Sequence, residues 1–161
     1  LLYTALLKAN GAGKIIVAEV TDFRAGKAKE VGADIVVNPV KQNLAEVVMA
    51  ETKIGADAVV DAVGSLVNDA VACCRRGGKI LLFGMNSNAR CEFIQNTVTR
   101  NELQIIGTYI ANSTFPAVIK LLESGILPLE KLITHRLTLD TLAEGIEIMR
   151  RGEAIETIVI P

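Results

Sequence analysis

The sequence has no excess of either charge: 17 Lys and Arg stand against 18 Asp and Glu, for a formal net charge of −1. A basic face that follows a phosphate backbone is not expected, which sets nucleic acid aside as a partner. No apolar run approaches the roughly 20 residues that span a bilayer, so no membrane partner is expected either. No secretory leader is visible, although the chain opens Leu1-Leu2-Tyr3 rather than on methionine. The three cysteines, Cys73, Cys74 and Cys91, form no CxxC pair and no metal-ligand spacing. Adjacent Cys73 and Cys74 suit a buried helix better than a bridge, because neighbours seldom reach disulfide geometry. A reduced, cytoplasmic compartment is the resulting expectation. His135 is the single histidine, in Ile133-Thr134-His135-Arg136. With no ligand pattern around it, a structural, hydrogen-bonded role is expected rather than a catalytic or zinc-binding one. No Ser-His-Asp order or carboxylate pair is specific enough to suggest hydrolysis.

What is present is a balanced, half-apolar chain: 161 residues, 50% hydrophobic, enough for a domain with a real core. Helical and strand-like segments alternate. Helices are expected at 1–10, 23–31, 44–53 and 66–75, closed by Gly11, Gly32, Gly55 and Gly77-Gly78. Short apolar strands are expected at 14–20 (KIIVAEV), 34–38 (DIVVN), 57–63 (DAVVDAV) and 79–83 (KILLF). Strands separated by helices of about ten residues read as βαβ units. Their nearly continuous apolar runs suit a parallel sheet covered on both faces. The expected fold class is therefore α/β, a doubly wound parallel sheet of Rossmann-like type. Composition changes near Ala111-Asn112-Ser113-Thr114, and a domain boundary is expected there. Beyond it come a helix (115–123), a strand-like segment (135–139), a helix (141–151) and a last strand (157–160).

Such a sheet binds its ligand beyond the carboxyl ends of the strands, so the residues after each strand carry the chemistry. Glu19 is the only charge in IIVAEV. A carboxylate there can accept the hydroxyls of an adenosine ribose and repel a 2′-phosphate; it can equally be a solvated strand end. Arg24, five residues on, can lie over an adenine or by the ribose, or be an ordinary exposed helix charge. A nearby arginine can also accommodate a 2′-phosphate. Val63-Gly64-Ser65 and Phe83-Gly84-Met85 come at the ends of the third and fourth of these strands. Glycine permits close backbone approach to a ligand, or simply a turn, and two such glycines at neighbouring strand ends point to a shared crevice.

Asn10-Gly11-Ala12-Gly13-Lys14 contains GxG but follows a helix and precedes a strand. The dinucleotide fingerprint needs the reverse order, because the phosphate must meet a helix N-terminus. The acidic residue of that fingerprint falls about 20 residues beyond its glycines. Counting back from Glu19 reaches the start of the chain, where a helix is already running. The first strand and the glycine loop are thus expected immediately upstream, and the sequence is expected to be a fragment.

The segment IIVAEVTDFRAGKAKEVGADIVVNP resembles the second strand, helix and third strand of the zinc-type alcohol, sorbitol and threonine dehydrogenases of the medium-chain dehydrogenase/reductase superfamily. DAVVDAVG, GGKILLFG, LQIIGTYI and PLEKLITHRLTLDTLAEGIEIMRRGEAIETIVIP continue the likeness in order, over essentially the whole chain. The resemblance implies that Glu19 is the acid on the adenosine ribose and Arg24 the basic residue beside it. It implies that Val63, Gly64 and Ser65 lie by the adenosine and pyrophosphate portion, and that Phe83, Gly84 and Met85 lie near the nicotinamide. It implies further that the backbone of Thr108 and Ile110 meets the carboxamide. Residues 1–111 would be a truncated dinucleotide-binding domain, and 112–161 a segment returning to a catalytic domain that precedes this chain. Strands around Val98 to Ile110 resemble those that pair across the family's dimer, so a homodimer or homotetramer is expected. Glu156 stands where some members carry a basic residue for a cofactor phosphate, and that contact is not carried over.

The resemblance implies NAD as cofactor, an alcohol or polyol as substrate, and hydride transfer between an alcohol carbon and the nicotinamide. Zinc in the full-length enzyme would polarise the substrate oxygen, with its ligands outside this chain. No residue here is expected to be catalytic or to bind metal, and the chain alone is expected to lack turnover and to bind NAD weakly. Two other readings stay open: a zinc-free, quinone-reductase-like member of the superfamily, and a non-catalytic nucleotide-binding or assembly module.

Overall fold

A computed structural model describes residues 1–110 and 113–161. The boundary residues Ala111 and Asn112, at which the sequence divides 1–111 from 112–161, lie outside the described residues. The chain forms two compact units, one of Leu1–Pro39 with Ser113–Pro161, the other of Val40–Asn112.

The first unit begins with helix α1 (Leu2–Ala9), strand β1 (Ile16–Ala18), helix α2 (Asp22–Glu30) and strand β2 (Ile35–Val37). Strands β1 and β2 pair in parallel, Val17 opposite Val36. Asp34 ties this start together: one carboxylate oxygen accepts from Lys8 Nζ at 2.9 Å and the other from the Ile15 amide at 2.8 Å. The Lys8 ammonium and the Ile15 amide hold the Asp34 carboxyl below its ordinary range. Ala5 and Val31, from α1 and the end of α2, are buried together with Leu132.

The C-terminal part of the same unit contributes α6 (Phe115–Glu123), β6 (Ile133–Thr138), α7 (Leu142–Arg150) and β7 (Glu156–Ile160). Strands β6 and β7 are also parallel. Helix α7 rests directly on β6: a Cβ at Gly145 would coincide with Leu137 Cδ1.

The second unit contains α3 (Leu44–Thr52), β3 (Ala56–Asp61), α4 (Val67–Cys73), β4 (Cys74–Leu82), α5 (Gln95–Arg100) and β5 (Gln104–Gly107). Its sheet has the order β3-β4-β5, all parallel. The core lies under it, where Ala70, Ile80 and Leu103 are buried against Val59, Val71, Val98 and Ile105. Ile80, fully buried on the central strand, is the largest of these anchors.

The structure departs from the sequence expectation at α4 and at Val98. Helix 66–75 stops at Cys73, and Cys74 already belongs to β4, paired with Ala56 across a register shift. Cys73 is buried at the helix end and Cys74 is half-buried on the strand; both are free. Val98 is not on a strand: it lies in α5, and only Gln104–Gly107 extends the sheet. Six residues that include Asn96, Thr97, Val98 and Thr99 are too few and too weakly helical to hold a helix alone, and α5 is held by packing of Val98 onto the Ile80 cluster.

Candidate functional site

The carboxyl ends of β3 and β4 lie side by side, so their following turns meet. Asp61, the last residue of β3, organises them. Its side chain is only 4% exposed, and its carboxylate accepts three backbone N–H groups: Oδ1 from Val63 (2.9 Å) and Gly64 (2.8 Å), Oδ2 from Leu66 (2.9 Å). Its carbonyl accepts from the amides of Phe83 and Gly84. One residue thus fixes both turns. The expected strand 57–63 marks Asp61 only as a strand residue; an acid at a strand end followed by glycine three residues on is the signal the sequence carries.

Gly64 and Gly84 face one another across the two turns. Gly64 has φ +88°, and a Cβ there would lie 2.5 Å from the Gly84 carbonyl oxygen. A Cβ on Gly84 would collide with the Gly64 amide nitrogen. The glycines therefore serve close approach of backbone to backbone. A cavity of about 230 Å³ opens beside them, and its lining includes Gly64, Ser65, Gly84, Arg90, Cys91 and Phe93. Arg90 is held there by its own loop, Nη1 donating to the carbonyls of Ser87 and Ala89.

Of the residues singled out from sequence, Gly64, Ser65 and Gly84 line this cavity. Val63, Phe83 and Met85 stand exposed beside it on the same turns. Thr108 continues β5, its amide donating to Leu82 O at 3.2 Å, and Ile110 is exposed with φ +44°. Neither borders the cavity.

Glu19 and Arg24 belong to the first unit and come together there. Glu19 follows β1; its amide still donates to Val37 O at 3.0 Å. Its Oε1 accepts from the amides of Val20 (2.9 Å) and Thr21 (3.2 Å) and from the Thr21 hydroxyl (3.4 Å). Its Oε2 accepts from Arg24 Nε at 2.9 Å. Thr21 also caps α2, its Oγ1 accepting from the Arg24 amide. Burial pushes the Glu19 carboxyl up, but the Thr21 amide, Arg24 and the Val20 amide outweigh it, and the pKa is lowered.

A lowered folded pKa means that the stabilisation is complete above the ordinary glutamate pKa and is lost as pH falls through the folded value. Glu19→Gln is therefore expected to flatten the acid limb of the stability–pH curve and leave its slope above neutrality unchanged. Urea midpoints at a series of pH values measure this, and an unaltered acid limb would contradict the hydrogen bonding described.

Among the described residues, no group of three or more His, Cys, Asp or Glu side chains converges to hold a metal ion. His135 Nδ1 lies 3.0 Å from Thr134 Oγ1, within β6.

Parallel strands alternating with helices, and glycine turns meeting at the strand carboxyl ends, define a Rossmann-like α/β protein. The chain belongs to the zinc-binding dehydrogenase family, which it matches over residues 1–124. It is 30% identical to the sorbitol dehydrogenase of Bacillus subtilis (strain 168) across all of this chain and 47% of that protein. It is likewise 30% identical to the L-threonine 3-dehydrogenase of Xanthomonas campestris pv. campestris (strain B100), covering 99% of this chain and 47% of that one. In structure it resembles an alcohol dehydrogenase from Escherichia coli CFT073 complexed with NADH, at 32% identity and a TM-score of 0.86, over 97% of this chain and 47% of that one. The chain spans about half the length of the curated relatives it matches.

Proposed function

We propose that this chain is the cofactor-binding portion of an NAD-dependent, zinc-type alcohol or polyol dehydrogenase. The observation that carries the reading is the pair of glycine turns held by Asp61 at adjoining strand ends, in a chain that belongs to the zinc-binding dehydrogenase family. NAD supplies the hydride acceptor when bound. Gly64, Ser65 and Gly84 present backbone at the edge of a cavity, as a flat polar ligand requires, with Val63, Phe83 and Met85 giving apolar surface beside it. Thr108 and Ile110 follow the third strand, where exposed backbone can receive a carboxamide. Glu19 offers a charged acceptor to a ribose hydroxyl, and Arg24 balances its charge. Within its own unit, each of these groups of residues fits a part of the binding and orienting of a dinucleotide.

The described residues offer no ligand set for zinc. In this reading the metal and the catalytic groups belong to a part of the enzyme outside residues 1–161, as do the contacts that choose the alcohol. Residues 1–111 then form the dinucleotide-binding part, and 112–161 return to the catalytic domain. A homodimer or homotetramer is proposed: β5 ends its sheet, and Ile106, Tyr109 and Ile110 on and after it are exposed. A cytoplasmic location is proposed from the three free cysteines. Among the described residues no helix is long and apolar enough to cross a membrane.

Calorimetric titration of the 161-residue chain with NAD⁺ and NADP⁺, beside a turnover assay on an alcohol and polyol panel, tests the reading. Weak NAD⁺ binding, weaker NADP⁺ binding and no turnover are expected. Turnover by the chain alone, or no response to either dinucleotide at millimolar concentration, would overturn it.

A further inference from the structure

Glu19 is not an open carboxylate. A carboxylate has about four lone-pair sites, and here Oε1 already receives three donors: two backbone amides and the Thr21 hydroxyl. Among the described residues, Oε2 receives only Arg24 Nε. The side chain as held is therefore asymmetric, with Oε2 the oxygen able to take a further donor. Thr21 maintains that asymmetry twice over, through its amide at 3.2 Å and its hydroxyl at 3.4 Å from Oε1.

The same hydroxyl also accepts from the Arg24 amide at 3.3 Å. The hydroxyl can accept that N–H on one lone pair and donate its own proton to Glu19 at the same time. Arg24 then closes the ring through its side chain. Glu19, Thr21 and Arg24 form a clip in which the backbone start of α2, the orientation of the carboxylate and the position of the guanidinium are set together. A threonine in this place is usually just a helix cap; here the cap and the acid share one hydroxyl.

We propose that Thr21 is a positioning residue that sets the selectivity of this site for a ribose diol over a ribose 2′-phosphate. Resting on the cofactor reading above, it acts through Glu19. Held by Thr21, the carboxylate presents one oxygen to a hydroxyl donor and keeps Arg24 engaged as its counter-ion. Without the hydroxyl, Oε1 loses a donor and Glu19 gains rotamer freedom. Arg24 is then paired with a less firmly held carboxylate and is more easily drawn to a 2′-phosphate, to which guanidinium binds strongly. A cap that was merely structural would, when removed, weaken both dinucleotides alike.

The experiment compares Thr21→Val, Thr21→Ser and Glu19→Gln with the parent chain. It reads the dissociation constants of NAD⁺ and NADP⁺ by calorimetry and the titration of the Glu19 carboxyl by ¹³C NMR. Thr21→Val is expected to reduce the NADP⁺-to-NAD⁺ ratio of dissociation constants about tenfold, the effect of one charge-assisted contact, and to raise the pH at which Glu19 titrates. Thr21→Ser, which keeps the hydroxyl and the cap, is expected to retain both values; it also serves should Thr21→Val fold poorly, because loss of the parent ratio in Thr21→Ser overturns the proposal. If Glu19→Gln shifts the ratio and Thr21→Val does not, the proposal fails while the cofactor reading stands. If Glu19→Gln leaves both dinucleotides unaffected, both fail.

Discussion

Asp61→Ala is expected to destabilise the chain by about 3–5 kcal/mol, from the loss of hydrogen bonds to a charged acceptor and the exposure of unpaired amides. The carboxylate is 4% exposed and accepts from Val63, Gly64 and Leu66 at 2.8–2.9 Å. Removing it leaves three part-buried N–H groups without their acceptor, and the space is bounded by the turn they belong to. Water can replace part of the loss, which is why the estimate stays below the sum of three such bonds. Asp61→Asn keeps an oxygen for Val63 and Gly64 but turns an amide donor toward the Leu66 N–H, so about half the loss is expected. Urea unfolding with equal m-values measures both. A cost under about 1 kcal/mol for alanine would mean that the turn is held by something other than this carboxylate. Because that turn carries Val63, Gly64 and Ser65, dinucleotide binding is expected to fall with stability.

Gly84→Ala is expected to cost about 3 kcal/mol, the upper end of what overpacking does. Its Cβ would run into the Gly64 nitrogen and the carbonyl carbons of Ala62 and Val63, all of them backbone. Backbone held by Asp61 cannot swing aside as the end of a long side chain does, so the two turns must separate. Gly107→Ala, at the end of the neighbouring strand, is the control: a Cβ there meets nothing within 4 Å. It is expected to be near neutral, since a methyl in open space at an ordinary φ restricts the unfolded chain and disturbs nothing. Thermal or urea midpoints for the pair decide the matter, and equal effects at the two glycines would refute the packing argument.

Much of the architecture is legible in the residues. IIVAEV, DIVVN, DAVVDAV and KILLF are apolar runs too short for helices, and each contains strand residues in a parallel pair, as consecutive β-branched and aliphatic side chains favour. Phe115–Glu123 carries a helical apolar stripe and forms a helix over that span. Glu19 and the glycines at 64 and 84 are recognisable from their place after strands. Helix α5 is not legible, since QNTVTR becomes helical only when Val98 finds the Ile80 cluster. The early end of α4 is not legible either: Cys74 leaves the helix because Ala56, eighteen residues away in the sequence, offers it a strand partner.

The candidate site divides the same way. Sequence alone located the strands and the glycines that follow them, because local hydrophobic period and glycine punctuation depend on neighbours a few positions apart. It determined, by likeness of five segments in order, the family to which the chain belongs. Only the tertiary structure decided that Asp61 governs two turns, that Gly64 and Gly84 exist for each other, and that Glu19 has one oxygen spent on Thr21 and another shared with Arg24. These are properties of distance and direction between groups. A carboxylate reads the same in sequence whether its oxygens are open or engaged, and the difference appears only once the backbone has brought donors within hydrogen-bonding reach.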